Sequence, residues 1–212
     1  MANETTDWTA VFKPLINKYK NKKHPLDYQN LYQLLVMVVL SAQDSDANIN
    51  KVAPPLFEAF PNLKSLAKSS IEELIPYITK VRNFNTKASW LIEIAQTLKD
   101  DKNIPTTMDE LVALKGIGRK SANVIMREAE VPAEGIICDL HVIRVAPRIG
   151  IVQESKDGNK VEKELMKVLP KEIWGDIGMA ISFLGRETCR PTNPKHSECV
   201  VSGHCEYCKS HS

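Results

Sequence analysis

Leu114-Lys115-Gly116-Ile117-Gly118-Arg119-Lys120 stands between two stretches with helical periodicity, Met108 to Leu114 before it and Arg119 to Ala129 after it. Two glycines one residue apart permit a tight connection whose backbone amides lie bare at the start of the second helix. Such a turn can hold a phosphate, because the first N–H groups of a helix have no internal partner and the helix dipole favours negative charge there. The contact would grip a nucleic-acid backbone without reading its sequence. The plainer alternative is that Gly116 and Gly118 only end one helix and begin another.

Working outward, helical signals continue in both directions, and alternating strand patterns are scarce, so the chain is expected to be all-α. Asp27 is a candidate cap for a helix through Leu31, Leu34, Leu35, Val38 and Val39, the most continuously apolar stretch and the expected central core. Ser45 or Asp46 can cap the next helix, through Ile49, Val52 and Leu56, which Pro54 and Pro55 should kink or end. Further helices are expected over 71–75, 87–98, 142–149, 161–169 and 177–184. No repeat with a period of roughly 20 to 50 residues is present. Val131-Pro132-Ala133-Glu134-Gly135 is the best internal junction, where two lobes could meet.

Composition limits the function without choosing it. A chain of 212 residues can bury one large core or two small ones, and 43% hydrophobic with 25% charged residues is ordinary for a globular protein. Twenty-eight Lys and Arg against 26 Asp and Glu leave a net charge of +2, so any basic surface must be local. The longest apolar run, Leu34 to Leu40, is too short to span a bilayer, and the first twenty residues carry no signal-peptide pattern. The expectation is a soluble, cytoplasmic protein, with a monomer as the default. Four of five cysteines, Cys189, Cys199, Cys205 and Cys208, crowd the end of the chain, which suits bound metal or an iron-sulfur cluster better than a secreted disulfide framework.

Lys120 follows the hairpin directly, and Asp139 lies nineteen residues on, in Ile136-Ile137-Cys138-Asp139-Leu140-His141-Val142-Ile143-Arg144. Taken singly, Lys120 is a phosphate-binding surface lysine and Asp139 a helix N-cap. Together with the hairpin, they resemble the endonuclease III family of helix-hairpin-helix DNA glycosylase/AP lyases. Leu40-Ser41-Ala42-Gln43 with Asp46, Asn50 and Lys51 is similar to that family's early segment, and Gly185-Arg186-Glu187-Thr188-Cys189 to the entry of its cluster loop. The likeness covers nearly the whole chain.

What the resemblance implies is specific. The fold would be two-lobed, with a helical domain over 27–133 carrying the helix-hairpin-helix and a second lobe from 1–26 plus 134–212 ending in a cysteine-rich cluster loop. Double-stranded DNA containing damaged bases or abasic sites would be the partner, bound in the cleft between them. The damaged base, by this resemblance an oxidised pyrimidine, would be turned out of the stack. Lys120 would attack the sugar as a neutral amine, which asks for desolvation or a cationic neighbour such as Arg119, and form an imine through which the strand breaks by β-elimination. Asp139 would stabilise the developing positive charge.

The remaining site residues divide between DNA and metal. Lys115, Gly116, Gly118 and Arg119 are expected on phosphates; His141 is either a DNA donor or an interior hydrogen-bonding residue, the latter favoured. Gln43 would fill the gap left by the extruded base, or else be a polar helix end. Val81 to Phe84 match the family's second wedge loop, but Asn83 replaces an apolar leucine and Arg82 a common glycine, so a polar group would bond the opposite base unless Asn83 is only a turn residue. The family holds a four-iron cluster through cysteines spaced six, two and five residues apart. Here that register reads Cys189, His196, Cys199, Cys205, with Cys208 three residues later, so Cys208 is the favoured fourth ligand and His196 the alternative. Zinc also suits these residues, as does loss of metal. Arg190, Lys195 and Lys209 would make the loop cationic. Two other readings stay open: a glycosylase for another lesion or mismatch, and a non-catalytic damage-sensing DNA-binding protein.

Overall fold

The structure is a computed structural model that describes residues 6–211. It is helical throughout, with no strand among the described residues. The chain divides into two compact units, one running from Lys23 to Val131 and the other formed by the chain up to Lys22 together with Pro132 onward.

The Lys23–Val131 unit is built around α2 (Leu31–Ser41), buried from Leu34 through Leu40. Each of those side chains contributes roughly 1.5–3 kcal/mol by leaving water. The helix begins at Asn30, whose side chain accepts the Gln33 N–H at 2.9 Å, three residues later than the expected Asp27. Asp27 is instead held through its own N–H by Asn50 Oδ1. Around α2 pack α3 (Asp46–Ala59), α6 (Phe84–Leu98) and α8 (Arg119–Glu128). The short helices α4 (Leu63–Ala67) and α5 (Ile71–Ile78) lie on α6, and α7 (Met108–Ala113) lies on α8.

Ser45 caps α3, and the helix runs through Pro54 and Pro55 without the expected break. Both prolines lie on its exposed side, while Ile49, Val52, Ala53 and Leu56 anchor the other in the core. Lost backbone bonds on a solvated face are replaced by water, so packing outweighs the two missing donors.

The other unit has α1 (Trp8–Tyr19), α9 (Leu140–Ile149), α10 (Gly158–Val168), α11 (Trp174–Glu187) and α12 (Glu206–Ser210). Its centre is α11, against which α1 and α9 pack. Nine consecutive residues, Ile177 to Gly185, are buried. A Cβ at Gly178 would stand 2.5 Å from the Ile137 carbonyl oxygen, so only glycine lets the strand-like 136–138 segment lie directly on the helix. That segment delivers Asp139 to the head of α9. No described helix is long and apolar enough to cross a membrane.

Candidate active site and cysteine loop

The hairpin between α7 and α8 is fixed by a turn in which the Ile117 N–H donates to the Leu114 carbonyl at 3.2 Å. Gly116 has φ +76, a left-handed conformation costly to any residue with a Cβ, and its bare face lies against the Trp90 ring. Gly118 differs: its backbone is extended, and a Cβ there would meet nothing within 4 Å. The fold itself does not require that glycine. It is the N-cap of α8, and no side chain caps the helix, so the first amides of α8 face outward beside an open backbone. Lys115 is exposed, Arg119 half-buried, and Lys120, the second residue of α8, is exposed.

Lys120 therefore lacks the burial expected from the protein alone. Its surroundings within the unit include His24, whose Nδ1 accepts the Leu26 N–H at 3.1 Å and whose proton is consequently on Nε2. Burial draws His24 down to about 4, opposed by the Glu128 carboxylate and assisted by the Lys120 charge. Tyr28 donates its hydroxyl to Glu128, and the ring of His24 meets that of Tyr28 edge-on at 6.0 Å.

In the other unit, Asp139 is the N-cap of α9. Its Oδ1 accepts the N–H groups of His141 at 2.9 Å and Val142 at 3.0 Å. Its Oδ2 accepts the Ser182 hydroxyl at 2.6 Å and lies 3.7 Å from the Arg186 guanidinium. Both carboxylate oxygens are oriented, and the side chain keeps 14% of its surface exposed. Ser182 and Arg186 sit one turn apart on α11, with the Arg186 Nε donating to the Ser182 oxygen at 3.4 Å. His141 is half-buried with its Nδ1 3.3 Å from Arg144, which also donates to the Gly185 and Cys189 carbonyls. Leu140, beside Asp139, is 79% exposed.

Gln43 and Asn83 are both exposed and both left-handed, at φ 59 and φ 57. Asn83 occupies the N-cap position of α6, yet its side chain makes no capping bond. The nearby Lys87 is buried to 2% exposure and donates to the Leu40 and Ala42 carbonyls at 2.7 and 2.6 Å.

All five cysteines are free thiols. Cys189, Cys199, Cys205 and Cys208 border one small cavity, together with His196 and Tyr207. Burial pushes the Cys199 and Cys205 thiols up, and each is raised further by the thiols of Cys189 and Cys208. Backbone N–H groups oppose this, from Val201 at Cys199 and from Cys208 and Tyr207 at Cys205. Arg148 donates to the Cys189 sulfur at 3.6 Å and to the Arg190 and Pro191 carbonyls, while its guanidinium lies 4.4 Å over the Tyr207 ring. Among the described residues, no three His, Cys, Asp or Glu side chains gather closely enough to hold a single metal ion.

Ser182, Lys87 and Arg148 carry no motif, and spacing alone does not identify them. Residues 36–171 match the family model described as HhH-GPD superfamily base excision DNA repair protein. The chain is 32% identical over 207 residues to the endonuclease III of Synechocystis sp., covering 97% of this chain and 94% of that one. A trapped endonuclease III–DNA covalent intermediate, an estranged-adenine complex, is similar at TM-score 0.83 and 32% identity over 96% of each chain. A non-covalent endonuclease III–DNA complex is similar at TM-score 0.84 and 33% identity, with 99% of this chain and 98% of that chain covered.

Proposed function

Since the chain belongs to the endonuclease III family of helix-hairpin-helix base excision DNA repair proteins, we propose that it is a DNA glycosylase with AP lyase activity that removes oxidised pyrimidines. The observation that carries this reading is Lys120 itself: an exposed amine in the first turn of α8, directly after a glycine hairpin whose uncapped amides suit a phosphate.

The hairpin amides, with Lys115 and Arg119, take the DNA backbone. Bound DNA supplies the desolvation that the protein's own packing does not give Lys120. The neutral Nζ attacks the anomeric carbon of the extruded nucleotide, the glycosidic bond breaks, and the departing base carries off the electron pair and is protonated. Loss of the amine protons and opening of the sugar give the imine. Removal of a proton from the adjacent sugar carbon then expels the 3′ phosphate by β-elimination. Asp139, its two oxygens already aimed by α9 and Ser182, offsets the positive charge that develops on the sugar.

Cys189, Cys199, Cys205 and Cys208 suit a [4Fe-4S] cluster. Four thiols share one cavity, which His196 also borders, and backbone donors point at two of them; thiolate suits iron-sulfur chemistry better than imidazole, and the His196 ring lies tilted against that of Tyr207 at 5.9 Å. A cluster spreads its ligand sulfurs over four irons and so requires a bordered cavity rather than a single point of convergence. When bound, it supplies structural order to the loop.

The test is borohydride trapping. With duplex containing an abasic site or thymine glycol, the protein should give a covalent adduct that Lys120→Ala loses while still binding the DNA. Binding without any adduct in the unaltered protein would overturn the lyase assignment.

A further inference from the structure

The segment that delivers Asp139 to the head of α9 is covered almost everywhere. From Gly135 through Gly150 every residue but one is buried or half-buried, and the exception is Leu140, 79% exposed. A helix with a single place open to water ordinarily fills it with a polar side chain. Among the described residues the next most exposed large apolar side chain is Val168 at 44%, so Leu140 stands well apart. A lone leucine on a surface has no meaning by itself, and it is the place of this one that matters.

Leu140 is the first residue of α9, directly after the Asp139 cap. Side chains on a helix lean toward its N-terminus, so an isobutyl group at the first position projects past the end of α9, the end at which the carboxylate stands. The flanks of the helix are taken. A Cβ at Gly185 of α11 would lie 2.8 Å from that of His141, and one at Gly158 of α10 would lie 3.4 Å from Ile143 Cδ1. Asp139 is likewise held from within, Oδ1 by the His141 and Val142 N–H groups and Oδ2 by the Ser182 hydroxyl. A group that reaches the 14% of the Asp139 side chain still exposed therefore arrives beside an uncovered apolar residue, its Cα about 3.8 Å from that of Asp139.

We propose that Leu140 is a substrate-binding residue whose isobutyl group packs on the C–H face of the extruded deoxyribose, while Asp139 faces the charge that develops on the same sugar. The idea rests on the reading that an extruded sugar is brought to Asp139, and it adds an apolar contact to that encounter. A deoxyribose has no 2′ hydroxyl, so part of its surface offers only hydrogens, which a leucine covers without stranding a polar group. Covering the leucine also removes water from beside the carboxylate, where its attraction for a cationic sugar is thereby strengthened.

The test is equilibrium binding to two duplexes of one sequence, one intact and one carrying a tetrahydrofuran abasic analogue, which presents a sugar without a base. The unaltered protein should prefer the analogue. Leu140→Ala, and Leu140→Asn with a polar side chain of similar shape, should each reduce that preference by about tenfold, the order expected from leaving most of one leucine side chain in water. Leu140→Met, which conserves volume and apolar character, should keep the preference within about twofold. Affinity for intact duplex and melting temperature should stay unchanged, because the residue is exposed. If Leu140→Asn proves less stable, Leu140→Ala and Leu140→Met still decide. A preference that survives Leu140→Ala overturns the proposal, and so does a loss in Leu140→Met as large as in Leu140→Ala. The analogue cannot form an imine, so a leucine-dependent preference without a borohydride adduct on a true abasic site sinks the lyase assignment alone. An adduct together with a preference indifferent to Leu140 sinks the leucine contact alone.

Discussion

The Ser182 hydroxyl donates to Asp139 Oδ2 at 2.6 Å, across 43 residues of sequence, while the opposite oxygen of the same carboxylate caps α9. One oxygen is thus set by local helix geometry and the other by α11. Removing Ser182 leaves Oδ2 with only the 3.7 Å approach of Arg186. Ser182→Ala should therefore slow base excision by about tenfold, the worth of one hydrogen bond to a charged group, with DNA affinity unchanged. Single-turnover kinetics on a thymine glycol duplex measure it. Asp139→Asn should cost more, on the order of a hundredfold or greater, because it also removes the charge. An unaltered rate in Ser182→Ala would assign that serine to packing alone.

Asp139 was legible because a cap acts within its own turn: an aspartate just before an amphipathic run is a local signal. The hairpin was legible for the same reason, since Gly116 answers to its own φ. Ser182 was not, because its partner is fixed only once α9 lies on α11. The second core helix was also underread. Ile177 to Gly185 is as continuously buried as α2, but Gly178, Ser182 and Gly185 dilute its apolar pattern, and those small residues are present because neighbouring backbone and side chains approach closely. At 54–55 the local rule misled in the other direction: two prolines argued for a break, and tertiary packing carried the helix through. Lys87 lay beyond sequence reasoning altogether, since its partners are carbonyls that any residue could supply.

The two hairpin glycines should respond differently to alanine. Gly116 combines positive φ with a Trp90 carbon 2.5 Å from the position of a Cβ, so Gly116→Ala must shift the ring or the turn. A loss of about 1–3 kcal/mol in stability is expected, together with weaker DNA binding. Gly118 has extended backbone and open space, so Gly118→Ala should leave the melting temperature nearly unchanged. Its added methyl would nonetheless stand where a phosphate approaches the α8 amides, and affinity for abasic duplex should fall several-fold. Thermal denaturation and a binding isotherm on both variants separate these effects; equal stability losses would contradict the distinction.

The cysteine loop yields a contrast in metal content. With Cys208 as fourth ligand, Cys208→Ser should lose iron and the broad visible absorption of a cluster, while His196→Ala should keep both. Iron and zinc analysis of anaerobically purified protein checks the pair, and zinc without iron would redirect the assignment to a mononuclear site. Arg148→Ala removes the donor to the Cys189 sulfur and to the Arg190 and Pro191 carbonyls, so it should speed iron loss to a chelator without preventing loading.

His24 gives the fold a dependence on pH. Burial, with the Lys120 charge helping and Glu128 opposing, lowers it to about 4, against about 6.5 in the unfolded chain. Above the unfolded value neither state is protonated there, and the neutral imidazole keeps its Nδ1 bond to the Leu26 N–H. As pH falls from about 6.5 towards 4, the unfolded chain takes up a proton that the folded state does not, so stability declines by at most about 1.4 kcal/mol per pH unit and levels off below. Urea midpoints across that window should follow this slope, and His24→Asn, which offers an acceptor but no titration, should flatten it. The same coupling can be read from the other side. Because the Lys120 charge disfavours a charged imidazole, Lys120→Ala should raise the His24 titration midpoint in an NMR experiment, and an unmoved midpoint would show that this charge does not reach His24.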